Sequence, residues 1–202
     1  MGVVVMGVLY AVGAACFVLG SLPPYFEHVD PTATALTFFV GSIFFTTAAT
    51  FQVRADRVTA PLFSSDAGRV EWWSDALQWV GTLAFNVSTG VAIVQGLTAG
   101  EEKRLVWAPD VVGSTFFLAS SILAVVVVRI AGSGRRDRGI AGLNLAGSVA
   151  FGLAAAAAFV VPTTNEVLNI RWVNAGTAIG GVCFFVASVW MTRPVAERAF
   201  PG

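Results

Sequence analysis

Charge is scarce in this chain of 202 residues: 12 Lys and Arg against 12 Asp and Glu, 12% of the residues, with a formal net charge of zero. An even balance offers no basic surface for nucleic acid, and so few charges would leave a soluble domain of this size under-solvated. Histidine occurs once and cysteine twice, too few donors to suggest a metal centre. Cys16 and Cys183 are expected as small core residues. There is no GxSxG, no glycine-rich phosphate loop, no HExxH and no CxxC, and no Ser, His and Asp constellation of the kind intramembrane proteolysis or acyl transfer requires. The expectation is a protein that is not an enzyme and carries no cofactor.

What is abundant is apolar sequence, 56% of the chain. Crossing a hydrocarbon core takes about 20 residues, and apolar runs of that length, with charge only near their ends, occupy 3–22, 33–53, 76–97, 108–131, 139–161 and 171–192. Prolines at 23, 24 and 31, the charged stretches 54–75 and 101–104, GSGRRDRG and PTTNE separate them. The first run begins almost at Met1, and GAAC at 13–16 faintly resembles a lipoprotein cleavage box. No Lys or Arg precedes the run, so a retained helix is the expectation.

A short pattern recurs among the runs. Leu9, Gly13, Cys16 and Phe17 correspond to Leu77, Gly81, Ala84 and Phe85 and to Leu143, Gly147, Ala150 and Phe151. The alternate runs carry GSIFF from Gly41, GSTFF from Gly113 and GVCFF from Gly181, with Ala48, Ser120 and Ser188 seven residues after the glycines. Positions three and four residues apart share a helical face, so each glycine is expected as a notch for close helix packing, with phenylalanines as fillers. The GxxxG pair Gly176 and Gly180 and the run Ala154–Ala158 fit the same reading. Corresponding glycines lie about 66 to 72 residues apart. The expected architecture is all-α: six transmembrane helices as three tandem parallel helical-hairpin repeats, 3–53, 76–131 and 139–192, in a pseudo-threefold bundle, with a connection at 54–75.

Arginines set the expected orientation. Arg54, Arg57, Arg69, Arg129, Arg135, Arg136, Arg138, Arg193 and Arg198 fall on one side, and only Lys103, Arg104 and Arg171 on the other. Both termini are thus expected in the cytoplasm of a multi-pass cell-membrane protein. Trp72, Trp73 and Trp190 suit the inner interface, Trp107 and Trp172 the outer one. Arg135, Arg136 and Arg138 are candidates for anionic lipid head groups. Within 54–75, Leu62, Phe63, Trp72 and Trp73 suggest a segment lying on the membrane surface, the best candidate for binding a partner.

Candidate intramembrane polar residues are Asp110, Asn86, Asn144 and Asn174. After Pro109, Asp110 reads as a residue of the first helical turn near exposed amides; its functional alternative is a carboxylate at the mouth of a pathway. The three asparagines fall at different depths, and Asn86 points about 140° from the Gly81 notch. Interhelical hydrogen bonding accounts for them. Asn86-Val87-Ser88, inside a span, is no glycosylation site, and EHVD at 27–30 is a solvated loop before it is a metal or proton site.

The segments WWSDALQWVGTLAFNVST at 72–89, WAPDVVGSTFFLASS at 107–121 and LNLAGSVAFG at 143–152 resemble bacterial membrane proteins with YrhK-like domains. The resemblance spans most of the chain after residue 70 and implies a bacterial cell membrane, with no established activity or site residues to carry over. Two functional expectations follow. The first is a non-enzymatic assembly or accessory module, pairing with itself or with another membrane protein through its glycine faces. The alternative is a permease or channel for an ion or small solute along the bundle axis.

Overall fold

Apolar runs interrupted by turn residues fold as helices, and nearly the whole chain is helical in the computed structural model, which describes residues 2–59, 66–161, 164 and 166–193. Helix α1 spans Val3–Ser21, the short α2 Pro23–Phe26, α3 Pro31–Thr59 and α4 Asp66–Val91. A third rod consists of α5 (Ala99–Glu101), a π-helical segment (Glu102–Trp107) and α6 (Ala108–Ile130). Then come α7 (Arg135–Ala157), a two-residue hairpin of β1 (Val160–Val161) and β2 (Glu166–Val167), and α8 (Ile170–Thr192). Val160 pairs with Val167 in the antiparallel register.

Several boundaries differ from those expected. The 54–75 connection is mostly helix, because α3 runs to Thr59 and α4 starts at Asp66. Trp72 and Trp73 therefore lie on α4; Leu62, Phe63, Arg57 and Arg198 fall outside the residues whose side chains are described. Pro109 does not start a helix. A Thr98–Glu101 capping box starts the rod ten residues earlier, and helical backbone continues through Trp107 and Ala108. Proline lacks an N–H and crowds the carbonyl one turn back; widening the preceding turn into a π segment accommodates it. Asp110 is accordingly an interior residue of a continuous helix, not a cap.

Five of the long stretches are long and apolar enough to cross a membrane: Val3–Ser21, Pro31–Ala55, Ala99–Ile130, Arg135–Ala157 and Ile170–Thr192. The sixth long helix, α4, is less apolar because it begins with Asp66, Arg69, Glu71 and Asp75, and it stops at Val91 instead of continuing to 97. The distribution of side chains is that of a membrane protein. The largest fully buried side chains are Thr82, Ser21, Ser42, Ser120 and Ser148, whereas Val4, Leu153 and Ile179 are more than half exposed. Large aliphatic residues facing outward and hydroxyls facing inward suit a lipid surround.

The long helices close a ring in which each packs principally against two others, in the order α1, α3, α4, α6, α7, α8 and back to α1. Three hairpins, α1 with α3, α4 with α6 and α7 with α8, are drawn together by facing glycines. A Cβ on Gly13 would stand 2.8 Å from the Gly41 carbonyl oxygen, and one on Gly41 would stand 2.9 Å from that of Gly13. Gly81 and Gly113 face each other in the same way at 3.1 and 3.0 Å, and Gly147 and Gly180 at 3.2 and 3.0 Å. The third pair corrects the expected register. Gly180, not Gly181, faces α7, while Gly181 packs against Val18 and the Ala14 carbonyl of α1.

Each notch also receives a ring from the opposite helix: Phe45 at Gly13, Phe17 at Gly41, Phe117 at Gly81, Phe85 at Gly113, Phe184 at Gly147 and Phe151 at Gly180. Every filler lies four residues after its own helix's glycine, so all six long helices carry G-x3-F. Gly113→Leu would drive a side chain into the Gly81 carbonyl and Phe85, at a cost on the order of 3 kcal/mol or more. Gly142 faces open space on α7, so Gly142→Ala is expected to add about 0.5–1 kcal/mol of helix stability. Thermal melts of the two purified proteins should move in opposite directions; a Gly113→Leu protein melting with the wild type would overturn the notch.

Candidate functional site

The six filler rings meet at the centre of the ring of helices. Phe17, Phe85 and Phe151 form one triangle, with centroid separations of 6.4, 5.6 and 5.9 Å. Phe45, Phe117 and Phe184 form a second, at 6.2, 6.0 and 5.7 Å. Within each hairpin one ring of each triangle touches the other, at 5.9, 5.0 and 5.6 Å. All six are buried, between 4 and 6% exposed. Mostly edge-on aromatic contacts of this kind contribute beyond the area they bury. Only a void of about 10 Å³ remains among them, bordered by Ser42 and Thr82, which is space for a single water at most.

A cavity lies on each side of this plug. The terminal chamber, near the start of α1 and the end of α8, measures about 420 Å³ and ends on Phe45 and Phe184. Its polar lining includes Gln52, Glu71, Asp75, Gln78, Asn144 and Arg136. The strand chamber, about 220 Å³, ends on Phe17, Phe85 and Phe151 and is bounded by Val160 and Val167 of the β-hairpin. Its polar lining includes Asp110, Glu102, Asn174, Thr177, Ser88 and Thr89.

The expected polar residues thus divide among three places. Asp110 and Asn174 share the strand chamber, and Asn144 lines the terminal one. Asn86 lines neither. Its carboxamide pairs with the Thr46 hydroxyl across α3 and α4, with Asn86 Nδ2 and Oδ1 at 2.8 and 3.1 Å from Thr46 Oγ1. Turning the amide over keeps the Thr46 pairing and places its nitrogen near Ser42. Other hydroxyl contacts tie neighbouring helices: within a hairpin Ser74 Oγ donates to the Ser120 carbonyl at 2.9 Å, and between hairpins the Ser121 and Ser148 hydroxyls lie 2.7 Å apart.

Asp75, at the end of the expected 54–75 connection, is a buried carboxylate on α4, 8% exposed. Tyr10 donates to Gln52 Oε1 and Gln52 Nε2 donates to Asp75 Oδ1, both at 2.8 Å, linking α1, α3 and α4. The signal was in the spacing. Asp75, Gln78, Thr82 and Thr89 recur at intervals of three, four and seven, one face of a helix that begins ten residues before the expected 76.

Two further residues find partners within the chain. The Arg136 guanidinium donates to the Trp190 carbonyl at 3.0 Å and the Met191 carbonyl at 2.8 Å, holding a cation against the C-terminus of α8. Arg135 and Arg138 remain exposed. Trp107 is turned inward, its indole N–H donating to the Ala155 carbonyl at 2.9 Å, while Trp172 is exposed. In the EHVD loop, Asp30 accepts from the Thr32 amide and His28 lies against the Pro24 carbonyl.

No protein-family model, curated protein or solved structure matches the chain. The apolar helices make it a membrane protein.

The Asn86–Thr46 pair is open to direct measurement. Asn86→Leu is expected to cost about 1 kcal/mol, and in a double-mutant cycle with Thr46→Val the two losses should be less than additive. Additive losses in equilibrium unfolding would show that the pair contributes nothing as a pair.

Proposed function

We propose that this is a six-span, non-enzymatic cell-membrane protein whose axis passes an ion or small polar solute when the phenylalanine plug opens. The observation that carries the reading is the pair of chambers, each carrying carboxylates and carboxamides in its lining, that face each other across the plug. A purely structural core in lipid needs no cavity on either side of it, and polar residues around intramembrane cavities commonly mark pathways. Helix α4 completes the ring as the sixth span; its acidic start lies at the terminal end, and its 26 residues are long enough to cross. The three hairpins are copies of one unit around a pseudo-threefold axis, in line with the G-x3-F spacing common to all six helices.

The terminal chamber faces the cytoplasm, because Arg54, Arg69, Arg129, Arg135, Arg138 and Arg193 cluster at that end. Both termini then lie inside. The resemblance to YrhK-like proteins adds a bacterial cell membrane and no activity. Self-assembly through glycine faces has weaker support. Each of the pairs Gly13–Gly41, Gly81–Gly113 and Gly147–Gly180 is engaged within the chain, and Gly176 of the GxxxG pair packs against Ala150 and Ala154.

The test is flux into proteoliposomes carrying the purified protein, with potassium, methylammonium, urea and glycerol as solutes. At least one should enter faster than into empty vesicles, and Phe117→Ala should raise its rate about tenfold by thinning the plug. Because Phe→Ala in a core costs on the order of 3–5 kcal/mol, melting of the variant is followed in parallel. Flux equal to empty vesicles for all four solutes, in wild type and variant alike, would rule out the passage.

A further inference from the structure

We infer that the strand chamber is a binding site for a small organic cation, an alkylammonium held by the Asp110 carboxylate against aromatic walls. The inference deepens the permease reading and rests on it for its physiological meaning, naming the class of solute.

The residues lining the chamber include two carboxylates, Asp110 and Glu102, and no Lys, Arg or His. Among the described residues, no hydrogen bond or ion pair reaches Asp110. Lys103 is not among the lining residues; its Nζ lies 5.0 Å from the centroid of the Phe159 ring. A carboxylate on a membrane-embedded helix without a protein counter-charge is costly, and a bound cation removes that cost. Low-dielectric walls of one sign also concentrate counter-ions.

The walls then select the kind of cation. Phe17, Phe85 and Phe151 close the inner end, and Phe38 and Trp107 stand at the sides. No group of three or more His, Cys, Asp or Glu exists among the described residues, so the chamber does not offer the compact donor set of a dehydrated transition-metal site. Aromatic surfaces suit a weakly hydrated, carbon-bearing cation, which they attract through the ring quadrupoles. Asn174, Thr177, Ser88 and Thr89 supply acceptors for any remaining N–H groups. The volume, about 220 Å³, lies below the range of drug-sized pockets and fits a compact solute.

The terminal chamber is consistent with the same substrate sign. Glu71, Asp75 and Asp137 outnumber the single Arg136 in its lining. A cation leaving the first chamber would meet an acidic one beyond the plug.

The probe is tetramethylammonium, titrated calorimetrically into the full chain in lipid nanodiscs, with tert-butanol as a neutral solute of similar bulk. Saturable binding of tetramethylammonium, absent for tert-butanol and weakened at least tenfold by Asp110→Asn, is expected; Glu102→Gln should weaken it less. No saturable binding, equal binding of the two probes, or an Asp110→Asn protein that binds like wild type would overturn the site. Should Asp110→Asn fail to fold, the wild-type comparison of the two probes still decides. Binding present with liposome flux equal to empty vesicles would retain the site and reject the permease. Flux of a neutral solute without cation binding would do the reverse.

Discussion

Everything in this bundle depends on backbones coming close enough for a carbonyl of one helix to lie against a glycine of the next. In hydrocarbon the surrounding tails are as apolar as any leucine, so association has to come from contact itself, and contact at a helix axis is limited by Cβ. Removing Cβ at Gly13 and Gly41, Gly81 and Gly113, and Gly147 and Gly180 lets each hairpin close. The same approach then decides where the rings go. A phenylalanine one turn beyond each glycine reaches across to fill the partner's notch, and its far edge reaches the axis. One spacing therefore both closes the hairpins and blocks the centre.

With the centre blocked by carbon, the polar side chains have two destinations. Hydroxyls such as Ser74, Ser121 and Ser148 find partners between helices, at the α4–α6 and α6–α7 interfaces, as Asn86 and Thr46 do between α3 and α4. The ionisable ones, Asp75 and Asp110, lie above and below the rings, each in a chamber. Water, ions or solutes in those chambers are the natural complement to groups that lipid would not tolerate.

The helices and their glycine faces were legible in the sequence because apolar runs and small-residue spacing are local signals. Register in the last hairpin was not. The doublet Phe184–Phe185 invited alignment with Phe44–Phe45 and Phe116–Phe117, which fixes on Gly181; only packing reveals that Phe185 is 40% exposed and that Gly180 and Phe184 occupy the inner positions. The start of α4 was missed for a different reason. Charges at Asp66, Arg69, Glu71 and Asp75 read as a connection, whereas the helix runs unbroken through all four. Likewise Pro109 read as a beginning, whereas a π segment absorbed it inside a longer rod. The chambers themselves had no linear signature, being assembled from residues of several helices.

The ring closes between α1 and α8, helices separated by nearly the whole length of the chain. At ribosomal rates of roughly 5–20 residues per second, α1 must wait on the order of ten seconds after its own synthesis before α8 exists to cover it. During that interval the face bearing Gly7, Ala14 and Val18, which α8 later occupies, is open to lipid or to whatever insertion factor stands beside it. Maturation of this protein is therefore timed by its last described helix, and any fragment ending before Ile170 would present an unfinished seam to the membrane's quality control.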